Sequence, residues 1–285
     1  METVQTFGGT WTKTKLNMFR GYLDAYLKVL SNQSYTTVYF DAFAGSGYVE
    51  LEYEVLEGSA RIALSAPRLF DRYIFVDNRK ENVLSLKEMI HKDFPFLENR
   101  TEVIHSDANK AIKELIPVIN WKTNRCLMFI DPFATQFDWE SFSVIANTQA
   151  IDFWYLFPCS AVNRMLKRNG NLPMKWEQCL DRVFGTSDWR ESFYHKSPQS
   201  SLFGDEIEKD SSIENLSKYL VKRLKETFPG VADNPYVFRN GTNAPLFLFC
   251  FAMSNPSVKA QAAALRIANH ILKAKDEEPG KTEDL

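Results

Sequence analysis

The chain alternates between two hydrophobic periods. Across residues 12–30, Leu16, Phe19, Leu23, Tyr26, Leu27 and Leu30 recur at three- and four-residue spacing, which predicts an amphipathic helix with one buried stripe. Residues 37–43 are β-branched and aromatic and run into Ala44-Gly45-Ser46-Gly47, the pattern of a buried strand ending in a glycine turn. Further short apolar strands are expected at 73–77, 101–107, 126–131 and 151–157, with helical spacing at about 59–64, 81–94, 108–118 and 139–148. Strands alternating with helices in this way imply right-handed crossovers and an α/β fold with a parallel sheet covered on both faces.

After the fifth strand the pattern changes. Residues 161–168 and 174–184 read as helices, and 185–212 is polar and broken by Gly, Pro and Ser, which suggests a helical insertion or lid over the sheet edge spanning about 160–230. Helical spacing returns at 213–228. Two strands, 236–239 and 245–253, flank the turn sequence Asn240-Gly241-Thr242, and a last helix covers about 257–275. Residues 1–275 are therefore expected to form one domain, followed by a solvated tail at 276–285.

Composition narrows the class. The chain has 285 residues, 45% hydrophobic and 25% charged, which excludes collagen-like, disordered and disulfide-scaffold proteins. A formal net charge of -2 gives no global basic field of the kind common in nucleic-acid binders, although local clusters such as Lys167-Arg168 and Lys222-Arg223 leave that partner open. The longest apolar run, residues 244–253, is far short of the roughly 20 residues of a membrane helix. Cys126, Cys159, Cys179 and Cys250 lie far apart and the histidines show no metal-ligand spacing, so a reduced, cytoplasmic protein without a metal site is expected.

The chemistry gathers at strand ends, where ligands bind in open α/β sheets. Asp41-Ala42-Phe43-Ala44-Gly45-Ser46-Gly47 follows the first strand, and Gly45 and Gly47 would let a ligand approach the backbone closely. The dinucleotide pattern GxGxxG fails at its third glycine, because position 50 is Glu50, whose carboxylate would repel a pyrophosphate. S-adenosylmethionine carries no phosphate, and Asp41 could accept from its ammonium group. Asp77 ends the second strand, placed to accept ribose hydroxyls, and Asp107 ends the third, placed for an adenine amino group. Each acid could instead cap the following helix.

Asp131-Pro132-Phe133-Ala134 ends strand four, where a carboxylate beside a stiff turn and an aromatic ring suits the orienting of a flat amine acceptor. It resembles the (D/N/S)PP(Y/F) tetrapeptide of amino-methyltransferases, with Phe133 in place of the second proline and Ala134 at the aromatic position. Asn163 and Arg164, just beyond strand five, are candidates for substrate contact. Lys13 and Lys15 sit in the first turns of the first helix, where the macrodipole disfavours cations, so an anionic neighbour is expected there.

Together these residues resemble the three-Cys-motif partner (TcmP) family, which is similar to class I S-adenosylmethionine-dependent methyltransferases. The resemblance runs from Trp11-Thr12-Lys13-Thr14-Lys15-Leu16 through the Asp41–Gly47 loop, Gly58-Ser59, Asp131-Pro132-Phe133, Phe157-Pro158 and Asn163-Arg164 to Leu246-Phe247-Leu248-Phe249 and Ser254-Asn255-Pro256. It implies a Rossmann-like sheet in the order 3-2-1-4-5-7-6 with the last strand antiparallel. It also implies S-adenosylmethionine as cofactor, held by Asp41, Phe43, Gly45, Gly47, Asp77 and Asp107, with Asp131, Pro132 and Phe133 at the reacting end. The partner it implies is a protein bearing a three-cysteine motif. Two readings stand beside methyl transfer: a non-catalytic cofactor-binding scaffold for that partner, and an NAD-dependent oxidoreductase, which Glu50 disfavours.

Overall fold

The protein is described by a computed structural model over residues 10–50, 54–196 and 207–273. The expected tail at 276–285 and part of the expected insertion, 197–206, lie outside the described residues. One large sheet organises the chain: β1 (Thr36–Asp41), β2 (Arg72–Asp77), β3 (Thr101–His105), β4 (Asn124–Ile130), β5 (Ile151–Phe157), β6 (Gly230–Val231), β7 (Tyr236–Arg239) and β8 (Pro245–Met253). The order is β6-β8-β5-β4-β1-β2-β3, with β7 also paired to β8. β1 through β5 pair in parallel, and β8 runs antiparallel to β5, with Leu248 opposite Phe157. Counting the expected strands from the sequence, this is the 3-2-1-4-5-7-6 arrangement, and it adds the two-residue β6.

Period-two alternation splits the core between two faces. Val38, Phe40, Met128, Ile130, Phe153 and Tyr155 look to one side. Tyr39, Leu127, Phe129, Trp154 and Leu156 look to the other. Both faces are covered, so the strands read as continuous apolar runs rather than as an alternation of apolar and polar residues. In chain order the helices are α1 (Thr10–Leu30), α2 (Ser59–Leu64), α3 (Lys80–Asp93), α4 (Ala108–Leu115), α5 (Trp139–Asn147), α6 (Cys159–Met165), α7 (Met174–Phe184), α8 (Trp189–Phe193), α9 (Ile213–Thr227) and α10 (Val258–Leu272). The Tyr39 face is covered by α1, α2, α3 and α10. The remaining helices cover the Val38 face.

The described helices of the expected insertion pack into the main core: Leu180, Phe184, Trp189, Phe193, Leu216 and Leu220 are buried in the same core as Phe153 and Phe157. They complete the second layer. Between the glycine turn after β1 and α2, Tyr48–Glu50 pairs antiparallel with Val55–Glu57.

α7 ends at Gly185, whose φ of 68° is the left-handed C-cap that glycine adopts without penalty. A Cβ there would lie 2.4 Å from Trp139 Cγ. Gly185→Ala is expected to lower unfolding free energy by about 2 kcal/mol, combining backbone strain with overpacking. A denaturant midpoint equal to wild type would contradict this placement.

Candidate active site

The loop 42–47 is pinned from three sides. Ala42 N–H donates to the Phe129 carbonyl on β4 (3.0 Å), Ala44 N–H to the Val76 carbonyl on β2 (2.9 Å), and Gly58 N–H reaches back to the Gly47 carbonyl (2.8 Å). Gly45 and Gly47 have φ of 62° and 89°. Their surroundings differ. At Gly47 a Cβ would stand 2.6 Å from Met89 Cε, so the missing side chain is a packing requirement, whereas among the described residues, its chain neighbours aside, no atom lies within 4 Å of a Cβ at Gly45. Gly45 thus presents bare backbone to open space at the carboxyl end of β1.

Asp77 is fixed beside it. Its Oδ2 accepts Gly45 N–H at 2.9 Å, and its Oδ1 accepts Arg79 N–H at 2.8 Å and Asn82 Nδ2 at 3.1 Å. The carboxylate is half-buried and retains acceptor capacity on Oδ2. Asp107 is exposed and takes the N-cap position of α4, accepting Lys110 N–H at 3.1 Å, which is why β3 stops at His105. Phe43 is half-buried and makes an edge contact with Phe137.

Asp41, expected at the ligand, instead faces inward. It is 0% exposed. Its Oδ2 accepts Tyr39 OH at 2.9 Å, its Oδ1 accepts Phe43 N–H at 3.2 Å, and Ser59 supplies a further hydrogen bond. Burial pushes its pKa up to about 6, the hydrogen bonds oppose that shift, and the charge of Asp131 adds to it. The period of β1 explains the orientation: Asp41 shares the Tyr39 face, under α1.

α1 supplies the most consequential contact. Lys15, 6% exposed, donates its ammonium to Asp131 Oδ2, across 116 residues of sequence, and its Nζ lies 5.2 Å from the Trp11 ring centroid. Thr12, one turn earlier on the same buried stripe, has a hydroxyl oxygen without a hydrogen-bond partner among the described residues. The anionic neighbours expected for the two lysines are the chain's own, since Lys13 pairs with Glu54 at 2.7 Å. Asp131 sits between the ends of β4 and β1, where the strand order reverses and open α/β sheets form their ligand crevice.

The turn after Asp131 is shaped for exposure of one ring. Pro132 is buried, Phe133 is 66% exposed, and Ala134 has a φ of 54°, a left-handed conformation that alanine seldom adopts. Asn109 on α4 braces the segment that leads from this turn into α5. Its Nδ2 donates to the Gln136 carbonyl at 2.8 Å, and its Oδ1 accepts Asp138 N–H and Ser141 Oγ, both at 2.9 Å. Asn163 and Arg164 are exposed on α6, and Asn163 accepts from Lys209 Nζ (3.2 Å) and Ser211 Oγ (2.6 Å), which ties α6 to the segment before α9.

The structure therefore gathers Gly45, Asp77, Asp131 and Lys15 at the carboxyl ends of β1, β2 and β4, with Asp41 beneath. Sequence reasoning missed Tyr39 and Asn109, and it named Trp11, Thr12 and Ser59 within motifs without giving them a role at the site. The signal for Thr12 was its place on the α1 stripe, three residues before Lys15. Among the described residues no cluster of metal-ligating side chains occurs, and no helix is long and apolar enough to cross a membrane.

No family model matches the chain, and no curated protein matches it. Among solved structures, protein LPL1258 from Legionella pneumophila is 13% identical, with a TM-score of 0.48 over 90% of this chain and 91% of that one. The DszA carbon methyltransferase is 11% identical, with a TM-score of 0.41 over 88% of this chain and 56% of that one. The plantazolicin methyltransferase BpumL, solved in complex with SAH, is 12% identical, with a TM-score of 0.36 over 86% and 85%. At such similarity the fold assignment rests on strand order and pairing: an α/β fold with a mostly parallel sheet and an antiparallel last strand.

Proposed function

We propose that this chain is an S-adenosylmethionine-dependent methyltransferase that takes its cofactor across the ends of β1 and β2 and its acceptor at Asp131. The observation that carries the reading is Gly45: bare backbone facing open space, held by the carboxylate of Asp77, beside the crevice where the strand order reverses. Those features fit a cofactor with a ribose diol and no phosphate. The hairpin after Gly47 supports the preference over a dinucleotide, because no helix N-terminus follows the glycine turn to receive a pyrophosphate.

When bound, the cofactor supplies a methyl group already activated on a sulfonium. Gly45 would admit its backbone-facing edge, and Asp77 would accept from the ribose hydroxyls. Asp131 would accept from an N–H of the acceptor and aim the nitrogen, and Lys15 would hold the carboxylate in place. The exposed ring of Phe133 would stack on a flat acceptor, for which an exocyclic amine of a nucleobase is the proposed class. Acceleration then comes mainly from alignment and exclusion of water. The resemblance to three-Cys-motif partner proteins supports a further reading, that a protein bearing a three-cysteine motif is the physiological partner. Co-purification of the two would test it.

Asp77→Ala is expected to weaken S-adenosylmethionine binding at least about tenfold, the loss of one charge-assisted hydrogen-bond site. Titration calorimetry on the variant measures it, and unchanged affinity would remove Asp77 from the site. An acceptor screen with labelled methyl groups then tests catalysis.

A further inference from the structure

At the opposite end of the sheet, between the second half of α1 and the first half of α10, lies a cavity of about 560 Å³, within the size range of small-molecule sites. Val29 and Leu30 of α1 and Ile267 with three alanines of α10 give it apolar walls. Its charged lining comes from the amino ends of two neighbouring strands and from Lys259 at the start of α10. Asp152 is the second residue of β5, a strand whose other residues are all apolar, and it is only 9% exposed. It accepts Tyr22 OH at 2.9 Å and has no cation within ion-pair distance among the described residues.

Arg125, the second residue of β4, stacks on Tyr35 with its guanidinium carbon 3.8 Å from the ring centroid. Its Nη1 donates to the carbonyls of Trp121 (3.0 Å) and Asn124 (2.7 Å), and among the described residues it pairs with no acid. The start of α10, with Asn255, Ser257 and Lys259, opens on the same space. A buried carboxyl without an ion-pair partner is costly unless another group meets it, and the half-buried guanidinium keeps N–H donors beyond the one that meets its two carbonyls. The complement is a molecule with an ammonium for Asp152, an anionic group for Arg125 and the positive end of α10, and an apolar body for the walls.

We infer that this cavity binds a small zwitterion of the α-amino-acid class with an apolar side chain. The site lies apart from the carboxyl-end crevice and does not depend on the methyltransferase reading. L-phenylalanine is the probe, titrated into the full chain near neutral pH and followed by calorimetry. L-phenylalaninamide lacks the carboxylate, and 3-phenylpropionate lacks the amine.

L-phenylalanine is expected to saturate, with each analogue at least about tenfold weaker, and Asp152→Asn and Arg125→Gln each reducing affinity by at least the same factor. Asp152→Asn retains the hydrogen bond from Tyr22, so it tests the charge without emptying the site. Absence of binding, equal binding of either analogue, or unchanged affinity in both variants would overturn the assignment.

Discussion

Asp131→Ala is expected to cost about 3–4 kcal/mol of unfolding free energy, more than any other single change at the candidate site. Its partner is the reason. The Lys15 side chain is 7% exposed, so its ammonium cannot return to water when the carboxylate is removed. The converse change is milder: Asp131 is 25% exposed and regains hydration, so Lys15→Met should cost about 2 kcal/mol while the methionine preserves the packing of the stem. Combining the two removes both charges, and Lys15→Met/Asp131→Ala should be no less stable than Lys15→Met. Denaturant unfolding of the three variants measures the coupling, and strict additivity would show that the pair contributes nothing. In the proposed reaction Asp131→Ala should also lower methyl transfer about a hundredfold or more, with S-adenosylmethionine affinity retained.

The second large effect concerns pH. Burial pushes the Asp152 carboxyl up to about 7, against the hydrogen bond from Tyr22 and the charge of Arg125. Tyr22 and Tyr26 from α1, Arg125 and Cys126 from β4 and Lys259 from α10 are the titratable or charged groups around it. An acid whose folded pKa exceeds its unfolded value holds its proton longer in the folded chain. Its contribution to stability is therefore complete below about pH 4 and is lost as the pH rises through about 7. Asp41 acts in the same direction, with its window closing near pH 6. Asp152→Asn should therefore be more stable than wild type at pH 8 by about 4 kcal/mol, the difference vanishing near pH 4. A wild-type advantage at pH 8 would show that the Tyr22 hydrogen bond and the Arg125 charge outweigh burial at this carboxyl.

Much of the sheet was legible because its strands are covered on both faces. Ile151–Phe157 is wholly buried, and such a run announces a parallel-sheet strand without any need of neighbours. The α1 stripe was equally readable. The hairpin Tyr48–Glu50 with Val55–Glu57 was not, since three-residue strands of mixed polarity carry no usable period. The same holds for Tyr194–Lys196 with Ile207–Lys209, and for the two residues of β6.

At the site, position was readable and orientation was not. Asp41, Asp77, Asp107 and Asp131 all sit at or just beyond strand ends. Yet Asp41 turns beneath the loop, Asp107 caps a helix with its carboxylate exposed, and Asp77 and Asp131 are fixed by Gly45 N–H and by Lys15. A contact such as Lys15 to Asp131 joins residues 116 apart, and a single sequence records nothing of that distance.

The central claim is a cofactor at the carboxyl ends of β1 and β2, and calorimetric titration with S-adenosylmethionine, S-adenosylhomocysteine and NAD tests it most directly. Saturable binding of the first two at roughly micromolar affinity, with no heat from NAD, is the expected result. Binding of NAD with no response to either adenosyl ligand would contradict the account.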